Sequence, residues 1–200
     1  MQLYSSSVDA QTLACLRLYS IITSGSDAAR YAARYANEAD MDAQTLACLR
    51  LYSTITSGDA AQHVCVAVIA ALQMHGQRDA AFCVLACETL ASLAKNGEAM
   101  EERIGAAGAC TTLLATFSAH ASACALEPSI ACLELLNALS FKCTANAQRL
   151  FAADGFAIVS SVFSGSQSAF TEDWKLQYEQ KKLLNRLRDF GTLQPAIPDS

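Results

Sequence analysis

Nine cysteines and three histidines are the side chains in this 200-residue chain best suited to hold a metal or attack a substrate. Cys83 and Cys87 stand at i and i+4, so on a helix they share a face. A tetrahedral site needs two more ligands, and no C-x-x-C pair or clustered histidine supplies them. His63, His75 and His120 have no spacing that suggests joint ligation. The other cysteines, at 15, 48, 65, 110, 124, 132 and 143, are scattered among alanine, leucine and valine. That is how small buried hydrophobes are distributed in a reducing compartment. The expectation is no metal and no cofactor.

Catalytic motifs are missing as well. There is no G-x-x-x-x-G-K-S/T loop, G-x-G-x-x-G, H-E-x-x-H or G-x-S-x-G. A cysteine nucleophile needs a base or a positive neighbour, which spacing alone does not locate. Glu98, Glu101 and Glu102 sit where a helix would start, and the helix dipole favours acids there. The chain is expected not to be an enzyme; a cysteine- or metal-dependent enzyme on a helical frame is a third reading behind the two below.

Composition bounds the partners. Hydrophobic residues make up 52% and charged residues 16%, enough apolar surface to offset the entropy of ordering. Only three prolines occur, two of them in the last six residues, and alanine is abundant, so the expected class is all-α. A net charge of −5 gives no general attraction to phosphate backbones or anionic lipid. Arg30, Tyr31, Arg34 and Tyr35 could share a helix, but they are too few to make a nucleic-acid footprint. The longest strongly apolar run, Val64–Leu72, is nine residues, far short of the ~20 of a membrane span. Met1–Ala10 is polar and lacks the pattern of a signal peptide. No nucleic acid and no membrane are expected, and the cytoplasm or nucleus is the expected location.

The elements that would position any site come from a repeat. Ala86–Phe117 returns as Ala131–Phe163 at a shift of 46, pairing Glu88 with Glu134, Leu90 with Leu136, Leu93 with Leu139 and Ile104 with Leu150. A period of that size in helix-forming residues marks a stacked helical array. Ala86, Leu90 and Leu93 fall at i, i+4 and i+7, one helical stripe. Asn96-Gly97 ends that helix, Glu98–Ala106 forms a second, and Ala109–Ser118 a third after a bend at Gly108. In the later copy Gly155 is expected to make the bend, one residue beyond the strict offset.

The run L-A-S-L-A, then I-G-A-A-G-A and L-L, resembles the armadillo repeat, as does its echo L-N-A-L-S, A-N-A-Q-R-L-F-A-A-D-G-F-A and I-V. The resemblance covers about 80 residues in two copies. It implies a right-handed α-solenoid whose third helices line a groove for a protein or peptide. In that family an asparagine before the last leucine of the third helix grips the peptide backbone. Ser92 and Ala138 hold those positions here, with Asn137 one residue out of register. The implied binding surface comprises Glu88, Ser92 and Lys95 from one unit and Glu134 and Asn137 from the next. Two carboxylates in series favour a partner with basic residues. The alternative is an assembly module, or a fragment of a larger repeat protein, that self-associates through its repeat ends.

Four regions follow. Residues 1–41 hold a duplicated helical segment, since Asp9–Ser20 is identical at all twelve positions to Asp42–Ser53. A recent duplication and an error in the assembled gene both account for that identity. Residues 42–163 carry the armadillo-like units, with Asp42–Ile55 a third helix and Ala60–His75 a buried helix after it. Residues 164–190 hold a linker (SGSQS) and an amphipathic capping helix over Thr171–Phe190, with Thr171 as its cap. Its stripe is Leu176, Gln180, Leu183, Leu187 and Phe190. Gly191 is expected to end it, leaving 191–200 as a tail.

Overall fold

A computed structural model describes residues 59–165 and 172–193. The duplicated segment, Asp42–Ile55, residues 166–171 (Thr171 among them) and residues 194–200 lie outside them. Every element among the described residues is a helix. They are α1 Asp59–His75, α2 Ala80–Ala94, α3 Glu98–Ala106, α4 Ala109–Ser122, α5 Leu126–Phe141, α6 Thr144–Ala152, α7 Gly155–Gly165 and α8 Trp174–Leu193.

Local chemistry sets most of the boundaries. Asp79 caps α2, its Oδ1 accepting the Phe82 amide at 2.9 Å. Asp173 does the same for α8 by accepting from Leu176 N–H at 2.8 Å. Gly97 and Gly108 take positive φ of 111° and 94° at the starts of α3 and α4. Three expectations need correction. The left-handed residue between α6 and α7 is Asp154, with φ 54°, at the strict offset from Gly108. Gly155 is instead a helical residue packed so closely that a Cβ there would lie 2.7 Å from the Leu150 carbonyl oxygen. Next, α4 continues past Ser118 to Ser122, whose hydroxyl donates back to the Ser118 carbonyl at 2.8 Å. Finally, α8 runs through Gly191 to Leu193, because the Phe151 ring, also against Phe190, occupies the space beside Gly191.

The apolar stripes meet in one core. Ala86, Leu90 and Leu93 of α2, Ile104 of α3, Leu113 and Phe117 of α4, and Leu136 and Leu139 of α5 are fully buried. So are Leu150, Val159, Leu176, Leu183 and Leu187 from α6, α7 and α8. Each such leucine contributes about 1.5–3 kcal/mol by leaving water. The pairing of helices is ordered: α5 packs most extensively on α2 and then on α4 and α8, while α3 packs on α6, α1 on α4, and α4 on α7.

Candidate functional site

The row α2, α5, α8 carries the residues expected to bind a partner. Glu88 on α2 and Lys95 at its C-cap are exposed, and Ser92 is half-buried. Glu134 on α5 is exposed too, and Lys175 of α8 reaches it at 2.7 Å. Hydrogen bonding to Glu134 raises the Lys175 pKa above its ordinary 10.5. Asn137 does not join this surface. It is 1% exposed, beneath α8, and its Nδ2 donates to the Glu179 carbonyl and to Glu179 Oε2, each at 2.8 Å.

Around Asn137 the α5–α8 contact becomes a polar seam. Arg186 Nη1 donates to the Asn137 carbonyl at 2.6 Å and to Ser140 Oγ at 3.0 Å, and its guanidinium lies 5.1 Å from the centre of the Phe141 ring. Burial lowers the Arg186 pKa, opposed by Glu179. Such a seam fixes the register of two helices, since sliding α8 would strand the buried Glu179 carboxylate and the half-buried Arg186 guanidinium. Of the five residues expected to bind a partner, Glu88, Lys95 and Glu134 are thus exposed, Ser92 is half-buried and Asn137 is covered.

A second constellation lies inside the same row. Cys83 and Cys87 do share a face of α2, and both point at Cys132 of α5, with Sγ···Sγ separations of 3.6 Å and 4.0 Å. All three sulfurs lie within 4.8 Å of one another and all three residues are buried. His120, near the end of α4, is buried beside Cys83. Its Nε2 sits 2.6 Å from the Gly76 carbonyl oxygen. A carbonyl only accepts, so Nε2 carries the proton and Nδ1 is the nitrogen left for other duties.

The three thiols titrate unequally. Cys83 is pulled down to about 4, first by the hydrogen bond from Cys132, then by that from Cys87, with His120 adding to the effect. Cys132 is pushed well up, as donor to Cys83 and Cys87 and by burial. Cys87 is also pushed up, a lowering hydrogen bond from Cys132 being outweighed by donation to Cys83 and by burial. Cys65 and Cys110, each buried apart from this cluster, rise to about 12 and about 11, chiefly from desolvation.

Sequence reasoning saw the Cys83–Cys87 pair and missed Cys132 and His120. Cys132 stands 49 and 45 residues beyond the pair. The 46-residue shift carries Cys83 to Ser129 and Cys87 to Leu133, so the repeat alone does not point to Cys132; only the packing of α5 on α2 brings its sulfur in.

No protein-family model, curated protein or solved structure matches this chain. Its function therefore rests on the geometry above. Among the described residues no helix is long and apolar enough to cross a membrane.

Proposed function

We propose that the chain is a non-catalytic protein-interaction scaffold, an armadillo-like right-handed α-solenoid of the cytoplasm or nucleus. The observation that carries this reading is the step between residues in contact. Asn146 reaches Glu101, 45 residues back, Arg186 reaches Ser140, 46 back, and His120 reaches Gly76, 44 back. Other contacts between these helices span 39 to 49 residues, and successive copies of one unit, each burying the face its neighbour offers, would produce a recurring step of that size. On this reading α2 and α5 are third helices of neighbouring units. α8 takes the third-helix place after them and closes the stack as its cap. Glu88, Ser92, Lys95 and Glu134 then form a polar row for a protein or peptide with basic residues.

The test is selection from a displayed peptide library, compared with Glu88→Lys/Glu134→Gln. Enrichment of lysine- or arginine-rich peptides that the double variant no longer holds, with helicity intact, supports the scaffold. Selection of peptides indifferent to both changes would refute the surface.

The second reading, an assembly module, is favoured by Trp174 and Tyr178. They stand one turn apart on α8 and are 74% and 57% exposed, an apolar pair a further copy of the chain could cover.

A further inference from the structure

We propose that Cys83, Cys87 and Cys132 form a structural zinc site that ties α2 to α5, with His120 as the fourth ligand once its ring moves in. His120 is buried beside Cys83 but outside the 4.8 Å that holds the three sulfurs together. The distances suit it. Two thiolates each ~2.3 Å from a tetrahedral zinc stand about 3.8 Å apart. The Cys132 sulfur lies 3.6 Å and 4.0 Å from the other two, so the triad needs little movement to close on an ion.

The histidine is prepared in the way zinc ligands are. A ligating imidazole commonly donates its other N–H to a backbone carbonyl, which fixes tautomer and ring orientation. His120 Nε2 stands in that relation to the Gly76 carbonyl at 2.6 Å. The site is enclosed, which suits a structural ion and not a catalytic one with an open position.

Convergence distinguishes this cluster from the other cysteines: among the described residues these three sulfurs, from two helices, meet within 4.8 Å of one another. Hydrated Zn²⁺ gives up its waters, three Zn–S bonds and one Zn–N bond to His120 form, the thiol protons pass to solvent, and no electron is transferred. The ligands come from α2, from α4 and from α5, so the ion would bridge three helices that meet only in the folded chain.

The experiment uses the full chain, reduced and stripped with a chelator, then titrated anaerobically with Co²⁺ and Zn²⁺. The expected result is one Co²⁺ per chain with the intense visible bands of tetrahedral thiolate coordination, bleached by one equivalent of Zn²⁺. Replacing any one ligand cysteine by alanine should weaken Zn²⁺ binding by more than ~100-fold, and His120→Ala should alter the cobalt spectrum. Because such variants could fail to fold, titration of the wild-type chain decides the matter by itself. Absence of thiolate–cobalt bands in the reduced wild type overturns the proposal, as does unchanged binding in a folded Cys83→Ala/Cys132→Ala variant. Uptake of copper(I) with no cobalt bands overturns the assignment to zinc.

Discussion

Asn146 is the residue through which α3 and α5 should feel damage in α6. Its side chain is fully buried. Nδ2 donates to the Glu101 carbonyl in α3 at 2.7 Å and to the Leu139 carbonyl in α5 at 3.0 Å, while Oδ1 accepts from Arg149 at 2.7 Å. Asn146→Ala removes both donors and leaves the carbonyls in a space water does not readily fill. Arg149 is only half-buried and can rehydrate. At about 1–2 kcal/mol for each deprived carbonyl, the loss is about 2–4 kcal/mol. For a chain of this size that lowers Tm by roughly 5–12 °C. The assay is thermal melting by circular dichroism, with the exposed Gln148→Ala as control.

Gly105 supplies an internal check. A Cβ on Gly105 would run into the Asn146 amide, so Gly105→Ala should destabilise the native chain. With Asn146 already alanine the obstacle is gone, and the helical Gly→Ala change should then stabilise by ~0.5–1 kcal/mol. The reversal of sign is the signature. Melting within 1–2 °C of native for Asn146→Ala, or additive effects in the double variant, would refute the reasoning.

Other expectations follow from charge and exposure. Glu101 is half-buried, its Oε2 has no hydrogen-bond partner among the described residues, and desolvation, then Glu98, raises its pKa above 4.5. A carboxyl raised in the fold costs stability as pH climbs from 4.5 through the raised value, so Glu101→Gln should raise Tm at pH 7 and leave it unchanged well below 4.5. Lys175 has the opposite sign: its contribution is full below 10.5 and fades as pH rises through the raised value. Glu134→Gln should remove that alkaline loss, and because the pair is 44% and 45% exposed the effect should stay under ~1 kcal/mol. Trp174→Ser/Tyr178→Ser should leave the melt within ~0.5 kcal/mol. If copies do associate through α8, sedimentation should also show the pair of changes abolishing dimers.

Helix positions were legible because they rest on local signals. Gly97 and Gly108 at the boundaries of α3 and α4, and the Ala86–Leu90–Leu93 stripe, all act within a few residues. The errors came where a tertiary contact overrode a local cue. Gly191 reads as a terminator, yet Phe151 from another helix packs over it. Asp154 reads as an ordinary acid, yet the equivalent of Gly108 must be left-handed, and aspartate tolerates that conformation. Asn137 reads as a surface amide because nothing local announces that Glu179, 42 residues on, will cover it. The cysteine cluster was half visible for the same reason, its third sulfur arriving from α5, 49 and 45 residues beyond the other two.

The central claim is that α2, α5 and α8 lie side by side as successive steps of one stack. Spin labels at positions 88 and 181, exposed on α2 and α8, test it directly. They should be carried on unnatural amino acids, which leaves the nine cysteines untouched. Two steps at helix-packing spacing of ~10 Å place the α2 and α8 axes about 20 Å apart, so pulsed electron resonance should give one narrow distribution centred at roughly 20–30 Å once the label arms are included. A main population beyond ~40 Å, or one so short that α8 must lie directly on α2, would contradict the stack.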